Sequence, residues 1–378
     1  MAEFTRDTLE LPAVAAGTRR ALTVLRTGTP GARPKAYLQA GLHADELPGM
    51  LVLRRLVELL AEEEITGEIV VVPVANPIGL AQQSYGYLRG RYEENTAGNF
   101  NRGYPDLGET LAVAGLGSDP AANVTAIRAA MAAALDALAP QGELATLRHA
   151  LLRLAHDADL VLDLHADNEA VMHLYVGTPL WPNARDLAAE LGARAVLLAE
   201  ISGGNPFDEA CSGPWWALAR RFPDAAIPPA CLAATIELRS NNAVDADLAE
   251  DDARALLRFL VRRGVVAGRV ASLPTLDCEA TPLDATQQLI APAAGLVVYR
   301  ARLGDTVAAG ELVAEIVDPL GAPPVAVTAR TSGVLFATHD QPIAWPGKVI
   351  GKIAGREPLP ERTGKLLSDY PASAASRG

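Results

Sequence analysis

The sequence predicts an α/β protein with a small all-β unit appended, and three observations predict it. Apolar runs of strand length alternate with amphipathic helical runs from the start of the chain to about residue 270. Beyond about residue 272 the pattern changes to short strands broken by Gly and Pro turns. That later part also repeats itself: APAAGLVV (291–298) is echoed by ARTSGVLF (329–336), and AAGELVAEI (308–316) by WPGKVIGKI (345–353), which aligns Gly295 with Gly333 and Gly310 with Gly347. The alternation implies a largely parallel sheet covered by helices. Two copies of one β unit imply a small sandwich or barrel. The boundaries that follow are 1–271 for the larger domain, with an Ala-rich helical insertion at about 110–158, then 272–360 for the β unit and 361–378 for a tail of disordered composition.

The elements can be justified in order. AYLQAGL (36–42) is a strand, and PGMLVLRRLVELLAEEE (48–64) a helix with Pro48 in its first turn. GEIVVVPVANP (67–77) is a buried strand that stops at a proline. Residues 78–110 are rich in Gly, Asn, Tyr and Arg and lack periodicity; a loop this long in a compact domain is usually functional. Residues 120–158 are Ala-rich and helical in pattern, DLVLDLHAD (159–167) is a strand, ARDLAAELGA a helix and AVLLAE (195–200) a strand. ACLAATIELRS (230–240) is a further strand, and LAEDDARALLRFLVRRG a closing helix with Gly264 just past its end.

Composition excludes several function classes. The 378 residues are 49% hydrophobic and 21% charged, enough to bury a sizeable core. A net charge of −12 argues against nucleic acid as a partner, since phosphate binding needs a basic face. Cys211, Cys231 and Cys278 have no paired spacing and read neither as a disulfide framework nor as a cysteine zinc site. The N-terminus lacks a continuous apolar segment and the longest apolar stretches are too short to span a bilayer, so the expectation is a soluble cytoplasmic protein with no membrane partner. A homo-oligomer is compatible with the sequence.

Of six histidines, His43 and His165 each follow an apolar strand run. Ligand sites in open α/β sheets form beyond the carboxyl ends of strands. Glu46, three residues after His43, opens the next helix. Two imidazoles and one carboxylate make a common zinc set with an open fourth position. Glu237, in TIELR (235–239), interrupts a buried strand near its end; it is either a general base or the ion-pair partner of nearby Arg239. RYEENTAGNFNRGYP (91–105) gathers Arg91, Asn99, Asn101 and Arg102 in one loop, where arginines could clamp a carboxylate or steady an oxyanion, unless the loop is simply solvated. His149 and His156 read as surface residues, and His173 as core packing near the site.

In the order GLHADE, NFNR, DLH and TIELR, these motifs resemble the zinc carboxypeptidase superfamily, most of all its succinylglutamate desuccinylase/aspartoacylase branch, over roughly residues 36–240. The resemblance implies a mixed, largely parallel central sheet flanked by helices in a zinc-dependent hydrolase domain. It implies one zinc per chain on His43, Glu46 and His165, Glu237 as general base and acid, Asn101 and Arg102 on a substrate carboxylate, and Arg91 on the scissile carbonyl with Arg89 as a rival. An assisting tyrosine has several candidates: Tyr85, Tyr87, Tyr104, Tyr175 and Tyr299. The C-terminal repeat resembles a biotinyl/lipoyl-type fold without a modifiable lysine in its usual context, which argues against a carrier role.

The function these features point to is a zinc-dependent amidohydrolase that removes an N-acyl group from an amino acid or similar small amine by attack of metal-bound water. A carboxypeptidase acting on peptides would use the same centre. A non-catalytic protein of the same fold is the remaining alternative, against which the full ligand set and Glu237 speak.

Overall fold

A computed structural model describes residues 2–96 and 98–367. The expected tail therefore lies largely outside the described residues. The larger sheet has nine strands in the order Thr5–Glu10, Ala21–Gly28, Glu68–Val72, Lys35–Ala40, Leu160–Asp167, Leu232–Ser240, His173–Gly177, Ala195–Ala199 and Ala280–Pro282. The couplings are parallel from Glu68–Val72 through to Leu232–Ser240, and again between the last three strands. The others are antiparallel. The sheet is thus mixed and largely parallel, as expected.

The central strands KAYLQA and EIVVV are buried along their whole length, which is why they read as continuous apolar runs rather than alternating ones. Helix Pro48–Leu60 starts with proline, whose missing N–H costs nothing at that position. It buries Val52, Leu53, Leu56 and Leu60 against one face of the sheet, beside helix Ala246–Arg262. The Ala-rich stretch forms helices Pro120–Asp136 and Gly142–Ala155, which with Phe207–Arg221 cover the opposite face. His149 and His156 are not surface residues. His156 is buried, its Nδ1 2.9 Å from Arg153 O, and His149 Nε2 lies 2.9 Å from Leu135 O between the two helices. The loop of residues 78–110 contains two short antiparallel ladders, Gln83–Ser84 with Tyr87–Leu88 and Tyr92–Glu93 with Gly98–Asn99.

The internal repeat is a structural one. Gly295–Tyr299 pairs with Leu312–Val317 in one sheet, and Gly333–Thr338 with Val349–Ala354 in the other. Each copy lends a two-residue strand to the opposite sheet: Thr306–Val307 pairs with Gly333–Thr338, and Ile343–Ala344 with Gly295–Tyr299. The result is a sandwich with its own core, built around Leu289, Val313, Leu335 and Ile353. The matching glycines share a cause. A Cβ on Gly295 would lie 2.5 Å from Val317 O, and one on Gly333 2.0 Å from Ala354 O.

Three features tie the sandwich to the larger sheet. Glu169–Ala170 pairs antiparallel with Gly333–Thr338. Ala280–Pro282 is an edge strand of the nine-stranded sheet. Lys352 forms an ion pair with Asp167, at the end of the strand that carries His165.

Candidate metal centre and active site

Three parallel strands end at one edge of the sheet, and each delivers a group to the site. After Lys35–Ala40, Gly41 takes a φ of +68°, which turns the chain so that His43 and Glu46 precede helix Pro48–Leu60. Leu160–Asp167 carries His165 and Leu232–Ser240 carries Glu237, in register with each other. Alternate strand residues share a face, so Asp163 points the same way as His165, and Thr235 as Glu237.

His43, Glu46 and His165 each bring one donor atom within 4.8 Å of the others, and all three are buried. Both imidazoles turn Nδ1 to one carboxylate. His43 Nδ1 is 2.9 Å from Glu46 Oε1, and His165 Nδ1 is 2.7 Å from Glu46 Oε2. The outer nitrogens meet acceptors. Asn99 Oδ1 lies 3.0 Å from His43 Nε2 and also accepts the Asn101 N–H at 2.8 Å, which identifies it as the oxygen. Asp163 Oδ2 lies 3.0 Å from His165 Nε2. Each Nε2 therefore donates, and each Nδ1 lone pair faces the carboxylate. Such converging acceptors are completed by a cation, so the residues fit a metal ion.

The titration behaviour shows the same pull on positive charge. Burial raises the Glu46 carboxyl, yet the charges of His43 and His165 hold it well below the usual carboxylate range. Burial lowers His165, but Asp163 and Glu46 outweigh it and hold the ring well above its ordinary value. His43 is held low by burial and by Arg91.

Glu237 lines the same pocket, and burial together with the charge of Glu46 pushes it up to about 8. Its Oε2 has no hydrogen-bond partner among the described residues. The ion pair with Arg239 is absent because Arg239, at a φ of +62°, turns to Asp252 instead. Arg91 Nη1 lies 3.2 Å from Glu46 Oε1 and 3.3 Å from His43 Nδ1 and lines the pocket, whereas Arg89 is not among its lining residues. Asn101 is buried, its Oδ1 accepting the Phe207 N–H at 2.8 Å and its Nδ2 3.4 Å from His165 Nε2. Arg102 donates to Asn101 O at 2.6 Å and Leu367 O at 2.9 Å while lining the pocket. Of the five candidate tyrosines, Tyr175 lines the pocket. Tyr85 and Tyr87 are exposed, Tyr104 is in the core, and Tyr299 donates to Ile350 O. His173 is core-packed against Phe336, as expected, and stands directly opposite Glu237 across the strand pair.

Sequence reasoning missed two groups of residues. Asp163, held in turn by Gln39, orients His165, and its signal was the two-residue spacing from His165 on a strand, while Asn99, already singled out in the loop, orients His43. The second group is the sandwich wall of the pocket, where Gln288, Trp345, Lys348 and Lys352 close a space of about 370 Å³. No local pattern announces a contact between segments so far apart in sequence.

These features define a class, an α/β protein with a two-histidine, one-carboxylate set that could hold a metal ion at the ends of parallel strands. The chain belongs to the succinylglutamate desuccinylase/aspartoacylase catalytic-domain family, whose sequence model matches residues 32–263. A curated relative, N-alpha-acetyl-L-2,4-diaminobutyric acid deacetylase of Halomonas elongata, is 25% identical over 337 residues, 86% of this chain and 83% of its own. A crystal structure from Shewanella frigidimarina, assigned to the same family, superposes with a TM-score of 0.82 at 26% identity, covering 94% of this chain and 98% of the other. A family member from Shewanella amazonensis gives 0.80 at 29% identity, covering 93% and 98%. Among the described residues, no helix is long and apolar enough to cross a membrane.

Proposed function

We propose that the protein is a zinc-dependent deacylase that removes an N-acyl group from an amino acid or similar small amine. The observation that carries this is the convergence of His43 Nδ1, His165 Nδ1 and the Glu46 carboxylate beside a half-buried, pocket-lining Glu237. Imidazole and carboxylate donors suit zinc better than magnesium, and zinc held there supplies a Lewis acid that polarises a carbonyl and acidifies water.

The chain's own residues do the rest. Glu237 takes a proton from the attacking water and returns it to the departing amine, a task suited to a carboxyl whose proton affinity is raised by burial. Arg91 directs Nη1 toward the charge that develops on the carbonyl oxygen. Arg102 grips the substrate carboxylate, and Asn101 fixes the start of helix Phe207–Arg221 through its Oδ1. The sandwich wall favours a small substrate over a peptide.

The test is a hydrolysis screen with zinc-reloaded protein against N-acetyl and N-succinyl amino acids, including N-acetyl-2,4-diaminobutyric acid, alongside C-terminal peptide substrates. Release of free amine from acyl amino acids is expected. Cleavage of peptides alone, or of nothing, would refute the proposal.

A further inference from the structure

After the last strand of the sandwich the chain runs back to the pocket. The start of this segment, residues 359–367, is tied down where the Leu359 N–H donates to Asp284 O at 3.0 Å and Glu361 pairs with Arg330. Arg362 Nη2 donates to Leu366 O at 2.8 Å and braces the segment from within. Its far end is seated on the turn at 202–204. The N–H groups of Leu366 and Leu367 both donate to Ser202 O, at 2.7 and 3.2 Å. Gly203, at a φ of +102°, lets the segment approach so closely that a Cβ there would lie 2.8 Å from Lys365 Cα. Leu366 and Leu367 pack against Leu197, Leu283 and Phe336, where the larger sheet meets the sandwich. The Leu367 carbonyl then accepts from Arg102 Nη2 at 2.9 Å, and both residues line the pocket. Arg102 Nη1 donates to Asn101 O at 2.6 Å. These are the terminal nitrogens through which a guanidinium fork grips a carboxylate. A neutral carbonyl is a weaker partner for them than a carboxylate, which adds its own charge and a second prong.

We infer that residues 359–367 form an autoinhibitory strap: the Leu367 carbonyl occupies Arg102, and a substrate carboxylate has to displace it to be gripped. This rests on the deacylase reading, which gives Arg102 that carboxylate. The strap weakens apparent affinity for acyl amino acids in proportion to the fraction of molecules in which it is closed, so loosening it tightens binding.

Leu366→Pro removes an anchoring N–H, and Leu366 is not a pocket-lining residue. In zinc-loaded protein it should lower KM for N-acetyl amino acids about fivefold, the scale of one ordinary hydrogen bond, with kcat within about twofold. The matched N-acetyl amino acid amides bring no carboxylate to Arg102, and their KM should not move. A KM that rises for both kinds of substrate would make the segment only a wall of the pocket and overturn the inference, as would a KM unchanged for both. Hydrogen exchange on zinc-loaded wild-type protein needs no variant. Its probes are N-methanesulfonylalanine, a sulfonamide that amide hydrolysis does not consume, and the corresponding carboxamide. Faster exchange at the Leu366 and Leu367 amides with the carboxylate, and not with the carboxamide, supports the inference. Equal or slower exchange with the carboxylate overturns it. Failure of all acyl substrates to turn over would instead count against the deacylase reading, and the exchange experiment still reads the strap.

Discussion

Asp163→Asn tests how the ligand set is controlled. Asp163 accepts twice, from Gln39 Nε2 at 2.9 Å and from His165 Nε2 at 3.0 Å. Asparagine keeps the shape but has one acceptor oxygen, so its amide N–H₂ must face one of these donors. Turning Gln39 over to relieve the clash is costly, because its Oε1 accepts from the buried Tyr37 hydroxyl at 2.8 Å and the flip would leave that hydrogen without its acceptor. The cheaper escape is for His165 to move its hydrogen to Nδ1, the atom aimed at the metal position. Loss of such an orienting partner costs about 10–100-fold in metal affinity, or about 1.4–2.7 kcal/mol. Chelator-competition titration of zinc into metal-free protein measures this, with a melting curve to establish that the variant is folded. A folded Asp163→Asn that binds zinc within twofold of wild type would refute the assignment of Nδ1 as the ligand atom.

Four further outcomes follow from the same geometry. Glu237→Gln should lower kcat by about 10²–10⁴-fold and leave zinc stoichiometry at one per chain; steady-state kinetics with elemental analysis decides it. Arg91→Met should reduce kcat by about 10²–10³-fold with little change in KM, since the guanidinium acts on charge that develops during the reaction. Gly90→Ala should weaken zinc binding and lower the melting temperature, because its Cβ would lie 2.2 Å from Asp45 N in the loop between His43 and Glu46. His173, with no exposure and pushed down to about 4 mainly by burial, is neutral when folded and takes a proton near pH 6.5 when unfolded. Its share of stability is therefore complete above about pH 6.5 and is lost as pH falls toward 4, by up to about 3 kcal/mol. Urea unfolding of His173→Phe should lack that part of the wild-type pH dependence.

What was legible in the sequence has a physical reason. His43, Glu46, His165 and Glu237 sit at or just beyond strand ends, where an apolar run stops and a polar group interrupts it. The rule that sites form at the carboxyl ends of parallel strands does the rest. The repeat was legible because Gly295 and Gly333 answer the same steric demand. Asp163 was hidden in plain view, since a buried aspartate within an apolar strand reads like any part of the run until its partner is known. The pairing of Arg239 with Asp252 was not legible, because it depends on a backbone reversal at Arg239 that neighbouring residues do not signal. Strand His173–Gly177, and the antiparallel coupling that puts His173 opposite Glu237, were also beyond reach. Register between distant segments is set by tertiary packing rather than by local pattern. The sandwich wall of the pocket depends on the same kind of long-range contact.

The central claim is that His43, Glu46 and His165 hold one metal. Anomalous scattering from crystals of zinc-loaded protein, recorded on both sides of the zinc edge, tests it most directly. The account predicts a single strong peak per chain, about 2.0–2.2 Å from His43 Nδ1, His165 Nδ1 and a Glu46 oxygen. A peak coordinated by other residues, or by the Nε2 atoms, would contradict it, as would no peak at this site in zinc-saturated crystals.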